Sequence, residues 1–168
     1  MRKPIPFAIV VLLGIGFDLL TKYCAFHALG RGQAYVLIPN VFAFVHAENH
    51  GVAFSMFADY PWLILAVTSA AIAGLIGWFA WIREKGHPLA LVATALLLIG
   101  ATGNLMDRLT FNFVRDFIDF VPPIPWIGHW AVFNVADICI TAGVILYVIV
   151  ELFLTTEKKS PASPAPNA

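Results

Sequence analysis

Four apolar runs, each about as long as a bilayer is thick, leave this chain little choice of fold. They are PFAIVVLLGIGFDLLTKYCAFHAL at 6–29, PWLILAVTSAAIAGLIGWFAWI at 61–82, PLALVATALLLIGATGNLM at 88–106 and WAVFNVADICITAGVILYVIVELFL at 130–154. A hydrocarbon core of ~30 Å is crossed by about 20 apolar helical residues, and inside it each backbone N–H and C=O must be paired within its own segment. The runs predict an all-α membrane protein with four transmembrane helices, a single domain over 1–156. Of the 168 residues 60% are hydrophobic and 12% charged, about half the charged share of a soluble domain. The first run is too long for a signal-peptide core and no small-x-small site follows it, so it is expected to be retained.

Orientation follows from the basic residues beside the runs. Arg2 and Lys3 precede the first, Arg83 and Lys85 fill the REKGH turn between the second and third, and Lys158 and Lys159 follow the fourth. The positive-inside rule makes these places cytoplasmic, with both termini inside and the outer loops at 30–60 and 107–129. Arg31, Arg108 and Arg115 count against this unless neighbouring polar residues neutralise them. The Pro/Ala/Ser-rich tail, 157–168, is expected to be disordered. In the first outer loop, AYVLIPNVFAFVHAENHGVAFSMF (34–57) is dense in β-branched and aromatic residues punctuated by Pro39, Asn40 and Gly51. That pattern predicts a small outer β-sheet, or cradle, lying on the bilayer interface. The second loop carries FVPPIPWIGHW (120–130), a stiff aromatic segment suited to headgroup depth.

Ten basic residues balance ten acidic ones, so no nucleic-acid partner is implied. Cys24 and Cys139 sit inside apolar runs without CxxC spacing and are expected to be small core residues. HAENH (46–50) flanks a glutamate with histidines, but Ala47 breaks the metalloprotease helix spacing, and no metal or cofactor is expected.

The polar residues inside the runs carry the functional information. A carboxylate deep in hydrocarbon costs roughly 2.5 to 3.5 kcal/mol and is expected to have a partner and a role. At 1.5 Å rise per residue, Asp137 lies about 25 Å above the inner end of the fourth helix and Asn104 about 24 Å above Pro88, while Asp18 is about 18 Å above Pro6. Asp18/Lys22, Asn104/Arg108 and Asn134/Asp137 are three or four residues apart, so each pair shares a helix face at one outer level. Asp18 and Lys22 could equally be an ion pair satisfying itself. Asp107 is expected to be a helix-end salt-bridge residue, and Arg115 a headgroup ligand. VRDFIDF (114–120) brings Asp116 and Asp119 to the same level, and spacing alone leaves the choice between them open. A carboxyl from that stretch facing Asp137 would form an aspartic-protease pair, in which one carboxyl activates water while the other, protonated, polarises the scissile carbonyl.

Five blocks in order, DLLTK (18–22), NHGVAF (49–54), GNLMDRL (103–109), VRDFID (114–119) and FNVAD (133–137), resemble those of the bacterial lipoprotein signal peptidases, signal peptidase II. The resemblance implies a membrane aspartic endopeptidase that removes the signal peptide of prolipoproteins carrying a diacylglyceryl-modified cysteine, cutting just before it. It implies Asp116 and Asp137 as the catalytic pair, with Asn49, Asn104, Arg108, Asn134 and Asp18 lining or supporting the site. It also implies a lid-like outer loop before the fourth helix, no cofactor, contact with membrane lipid, inhibition by cyclic peptides of the globomycin class and an enzyme able to work as a monomer in the inner membrane, its site near the periplasmic face. Leu19, where the family usually has glutamine, and Val52, where alanine is usual, depart from the pattern. Two other classes compete. A proton-coupled transporter would need polar groups toward both faces, and a non-catalytic assembly factor leaves the converging carboxylates unexplained.

Overall fold

The computed structural model describes residues 4–51, 59–122 and 131–154. In chain order these form α1 (Pro4–Ala28), β1 (Ala34–Ile38), β2 (Phe42–Asn49), α2 (Pro61–Ile82), α3 (Pro88–Phe111), β3 (Val114–Phe120) and α4 (Val135–Ile149), which a π-helical turn extends over Val150–Leu154. Among the described residues four helices are long and apolar enough to cross a membrane. Helix α3 is the central one: half of its most apolar window is buried inside the protein, against 6–11% for the other three. Large side chains on the outside, such as Leu12, Leu13, Trp62 and Leu152, are exposed, as they must be where the surrounding solvent is itself apolar.

Two helix boundaries differ from the sequence expectation. Helix α3 runs to Phe111 rather than 106, and Asn112 ends it in the left-handed conformation (φ 63°), its N–H bonded to the Arg108 carbonyl. The GNLMDRL block is polar because its buried members meet other helices, not because the helix has ended. Helix α4 begins at Val135 rather than 130: Asn134 is its N-cap. Cys24, expected in the core, is exposed on α1; lipid is as good a surrounding for a thiol as protein interior.

The close approach of α3 to α4 depends on glycine. A methyl on Gly100 would collide with the Ala136 carbonyl oxygen and the Ile140 side chain, and one on Gly143 would press on Leu97 and the Ala93 carbonyl. Gly100→Ala should therefore push α4 outward and cost about 1–3 kcal/mol, read as a lowered unfolding temperature in detergent.

The outer sheet has the order β1-β2-β3, antiparallel throughout. Pro39 and Asn40 (φ 59°) make the hairpin between β1 and β2, closed by Val41 N–H on the Ile38 carbonyl at 3.0 Å, a type II turn by its residues and its positive φ. The third strand lies where the sequence predicts an outer loop, over VRDFIDF. It pairs with β2 from Asn49↔Val114 to Phe42↔Phe120. An extra residue between Phe44 and Ala47 makes a bulge in β2, so the alternation of β3 is intact. The proposed lid before α4 and the tail from 155 onward lie outside the described residues, as does Val52.

Candidate active site

β3 sets the two aspartates of the second outer segment on opposite sides. On a strand, residues three apart face opposite sides, so Asp116 and Asp119 cannot serve the same site. Asp116 is 2% exposed and stands opposite Ala47 of β2. Its Oδ1 accepts from Asn134 Nδ2 at 2.6 Å and its Oδ2 from Asn49 Nδ2 at 2.9 Å.

Asp137 occupies the third position of α4 and completes a capping box: its Oδ2 accepts from Asn134 N–H at 3.0 Å, while its own N–H donates to Asn134 Oδ1 at 3.1 Å. Its Oδ1 accepts from Asn104 Nδ2 at 2.8 Å. Among the described residues each of the four carboxylate oxygens thus receives one N–H. Since an ionised carboxylate offers about four acceptor positions, each oxygen keeps capacity for a proton, water or substrate.

The asparagines are oriented in turn. Asn104 Oδ1 accepts from Lys22 Nζ at 2.9 Å and from Asn134 Nδ2 at 3.2 Å, which obliges its amide NH₂ to face Asp137. Lys22 is completely buried and pairs with Asp18 at 2.8 Å and, more loosely, Asp107 at 3.7 Å. Asp18 is therefore more than half of a self-satisfied pair: its Oδ1 accepts from Ala136 N–H at 2.8 Å, holding the first turn of α4 in place. Asp107 behaves as the expected salt-bridge residue, accepting from the Arg115 guanidinium at 2.7 Å and from its backbone N–H at 2.9 Å. Arg115 is then no headgroup ligand. It lies across the Phe111 ring, 4.6 Å from the centroid, and its charge is spent on Asp107 at the join of α3 and β3. Arg108 donates to the Gly51 carbonyl at 2.6 Å and reaches its own helix at the Asn104 carbonyl.

All seven residues singled out in the sequence, Asp18, Asn49, Asn104, Arg108, Asp116, Asn134 and Asp137, thus fall within one connected cluster at one end of the bundle. Lys22 is the member that spacing undervalued. Its helical spacing signalled Asp18, but its contact with Asn104, 82 residues on, has no local sequence signature.

A cavity of about 520 Å³ adjoins the cluster, lined by Asn49, Asn104, Arg108 and Asp137 on its polar side and by residues such as Val67 and Ala71 of α2 on its apolar side. Asp137 is half-buried at this cavity, whereas Asp116 lies behind it. Burial, reinforced by the charge of Asp137, pushes the Asp116 carboxyl up to about 7, against the opposing pull of the bonds from Asn49 and Asn134. A carboxyl raised this far can hold a proton at neutral pH and donate a hydrogen bond. Among the described residues no cluster suited to a metal ion occurs.

Residues 10–153 match the family model described as signal peptidase II. The lipoprotein signal peptidase of Chlorobaculum tepidum is 38% identical over 161 residues, covering 90% of this chain and 98% of that one. That of Clostridium tetani is 34% identical over 141 residues, 84% of this chain and 88% of that one. A bacterial membrane enzyme solved by the in meso method superposes with a TM-score of 0.80 at 27% identity, over 94% of this chain and 93% of its own. Sequence and fold agree from the first span to the last, and the chain belongs to the signal peptidase II family of membrane peptidases.

Proposed function

We propose that this protein is an aspartic endopeptidase that removes the signal peptide of diacylglyceryl-modified prolipoproteins just before the lipid-bearing cysteine, with Asp116 and Asp137 as its catalytic pair. The observation that carries the mechanism is the asymmetric pair: a buried carboxyl pushed up to about 7 beside a second carboxyl that borders the cavity. Charge balance supports one shared proton. Lys22, Arg108 and Arg115 supply three cations to the cluster against four carboxyls, Asp18, Asp107, Asp116 and Asp137. One proton on the pair makes the whole neutral, the favoured condition in a low-dielectric bundle.

Asp116, protonated, donates to the scissile carbonyl. Asp137, whose carboxylate faces the positive end of α4, takes the proton of a water held in the cavity, and that water attacks the carbonyl carbon. The tetrahedral intermediate collapses as the amide nitrogen is protonated from the pair and the C–N bond breaks. The asparagines fix the carboxyls, and Arg108, which borders the cavity, meets substrate backbone. The substrate's diacylglyceryl chains lie in the bilayer against the apolar helix surfaces, and the outer segments exclude bulk water. Both termini are cytoplasmic and the aspartates lie toward the outer face of the membrane. The enzyme acts as a monomer over a single domain, 1–156. Cyclic peptides of the globomycin class would inhibit by placing a hydroxyl between the two carboxyls.

The test is cleavage by purified protein of a prolipoprotein with and without its diacylglyceryl group, followed across pH. The modified substrate alone should be cut. Because Asp116 must keep its proton, and its pKa is raised to about 7, the rate should fall as pH rises through that value and fall again in acid once the base is protonated. A rate constant from pH 5 to 9 would exclude the shared-proton pair.

A further inference from the structure

A second cavity, of about 660 Å³, lies at the opposite end of the bundle, between the α2–α3 turn and the π-helical end of α4. It is about 24 Å along α3 from Asn104, and the peptidase chemistry makes no use of it. Its floor is the buried apolar cluster of Ile82, Ala90 and Val150. One wall is aromatic: the rings of Trp78 and Trp81 are 4.9 Å apart, and Tyr147 meets Trp78 edge-on at 6.0 Å.

The indole N–H of Trp78 is buried and has no acceptor among the described residues. A buried indole N–H ordinarily finds one, so this donor is open to an oxygen that the described residues do not supply. Lys85 and His87 border the same cavity. His87 Nδ1 accepts from Leu89 N–H at 3.3 Å as the N-cap of α3, which leaves the ring proton on Nε2 as a second donor. The first turn of α3, a 24-residue helix, adds its partial positive charge. Facing these donors are two carboxylates, Glu84, which also meets Arg83 at 3.9 Å, and Glu151 of the π-helical turn.

A simple anion would be repelled by the carboxylates and a simple cation by Lys85. A zwitterion with an oxygen-rich anionic group, an ammonium and an apolar tail satisfies every part. The cavity stands where three spanning helices end, at headgroup depth, with tryptophans and a tyrosine of the kind that mark that level. We propose that it binds the headgroup of a zwitterionic phospholipid bearing a primary ammonium, a phosphatidylethanolamine. The phosphate lies toward Trp78 Nε1, Lys85 and His87. The ammonium lies toward Glu151 and the aromatic faces, and an acyl chain covers Ile82 and Val150.

The experiment is native mass spectrometry of the full chain released from micelles containing equimolar phosphatidylethanolamine, phosphatidylglycerol and phosphatidylcholine. Phosphatidylethanolamine should be retained roughly three- to tenfold above either competitor, the worth of one or two hydrogen bonds. Trp78→Phe keeps the ring but removes the donor, and Lys85→Gln lies on an exposed turn; each should reduce that preference severalfold. Cleavage in lipid-free detergent should be unchanged in both, which separates this site from the peptidase chemistry. Equal retention of the three lipids, or a preference surviving both substitutions, would mean only non-specific boundary lipid and overturn the proposal. Preference for phosphatidylglycerol would make the cavity an anion site and overturn it equally.

Discussion

Asp116→Asn and Asp137→Asn should each lower prolipoprotein cleavage by about 10²–10⁴-fold, while Asp119→Asn should stay within about twofold of the parent protein. The first two substitutions keep size and most hydrogen-bond geometry but remove a group able to gain and lose a proton. The third changes a carboxyl on the other side of β3. Removing both members of the pair together should cost little more than removing one, because they act as a unit. The measurement is the initial rate on a diacylglyceryl-modified substrate, with each variant's unfolding temperature compared to that of the parent. Near-normal cleavage by either Asp116→Asn or Asp137→Asn would falsify the two-carboxyl mechanism. Loss at Asp119 alone would move the catalytic position along β3.

The largest effect on stability is expected at Lys22. Its ammonium is fully buried and holds Asp18 at 2.8 Å, Asn104 Oδ1 at 2.9 Å and Asp107 at 3.7 Å. Lys22→Met preserves much of the volume but leaves the Asp18 charge buried without its counter-ion. Loss of one partner of a buried pair costs about 3–5 kcal/mol, a large part of an ordinary stability margin of about 5–15 kcal/mol. Lys22→Met should consequently give little folded protein. Adding Asp18→Asn removes the uncompensated charge while keeping an oxygen for Ala136 N–H, and folding should recover by at least about 1 kcal/mol of coupling between the two positions. Activity should return less completely, because Asn104 has lost the donor that orients its amide toward Asp137. Thermal unfolding of the four members of this cycle in one detergent decides the matter: additive losses would mean that Lys22 and Asp18 do not support each other.

The spans were legible because hydrocarbon imposes one solution on an apolar run, and residues 61–82 fall on α2 residue for residue. The outer end of α3 was not. Polarity after Met106 resembles a helix leaving the membrane, yet Asp107 and Asn104 are buried against partners that the local sequence does not reveal. The identity of β3 was hidden for a related reason. VRDFIDF interleaves charges with apolar residues, but all of Val114 to Ile118 is buried, with β2 along one edge, Phe133 bridged to Ile118 on the other, and α1 and α3 packed against the strand. That burial erases the alternation by which a half-exposed strand is recognised. The convergence of Asp18, Asn104, Asn134 and Asp137 followed from depth along a helix, which sequence supplies. The donor assigned to each oxygen did not, since it depends on how far α3 and α4 approach at Gly100. Arg115 illustrates the limit: eight residues separate it from Asp107, and only the turn at Asn112 brings them together.

β3 lies late in the chain, yet its strand partner is β2 from the first outer segment, and Asn134, which bonds Asp116, caps the last helix. During synthesis, therefore, three helices and two strands can already be inserted while neither aspartate has its complete set of donors. The cluster around the two aspartates is complete only when the fourth helix is in place and the Ala136 N–H of its first turn meets Asp18. A chain that stops before the fourth helix therefore lacks both the N-cap that bonds Asp116 and the first turn that Asp18 holds, so the proposed pair can be assembled only after the last span is in place.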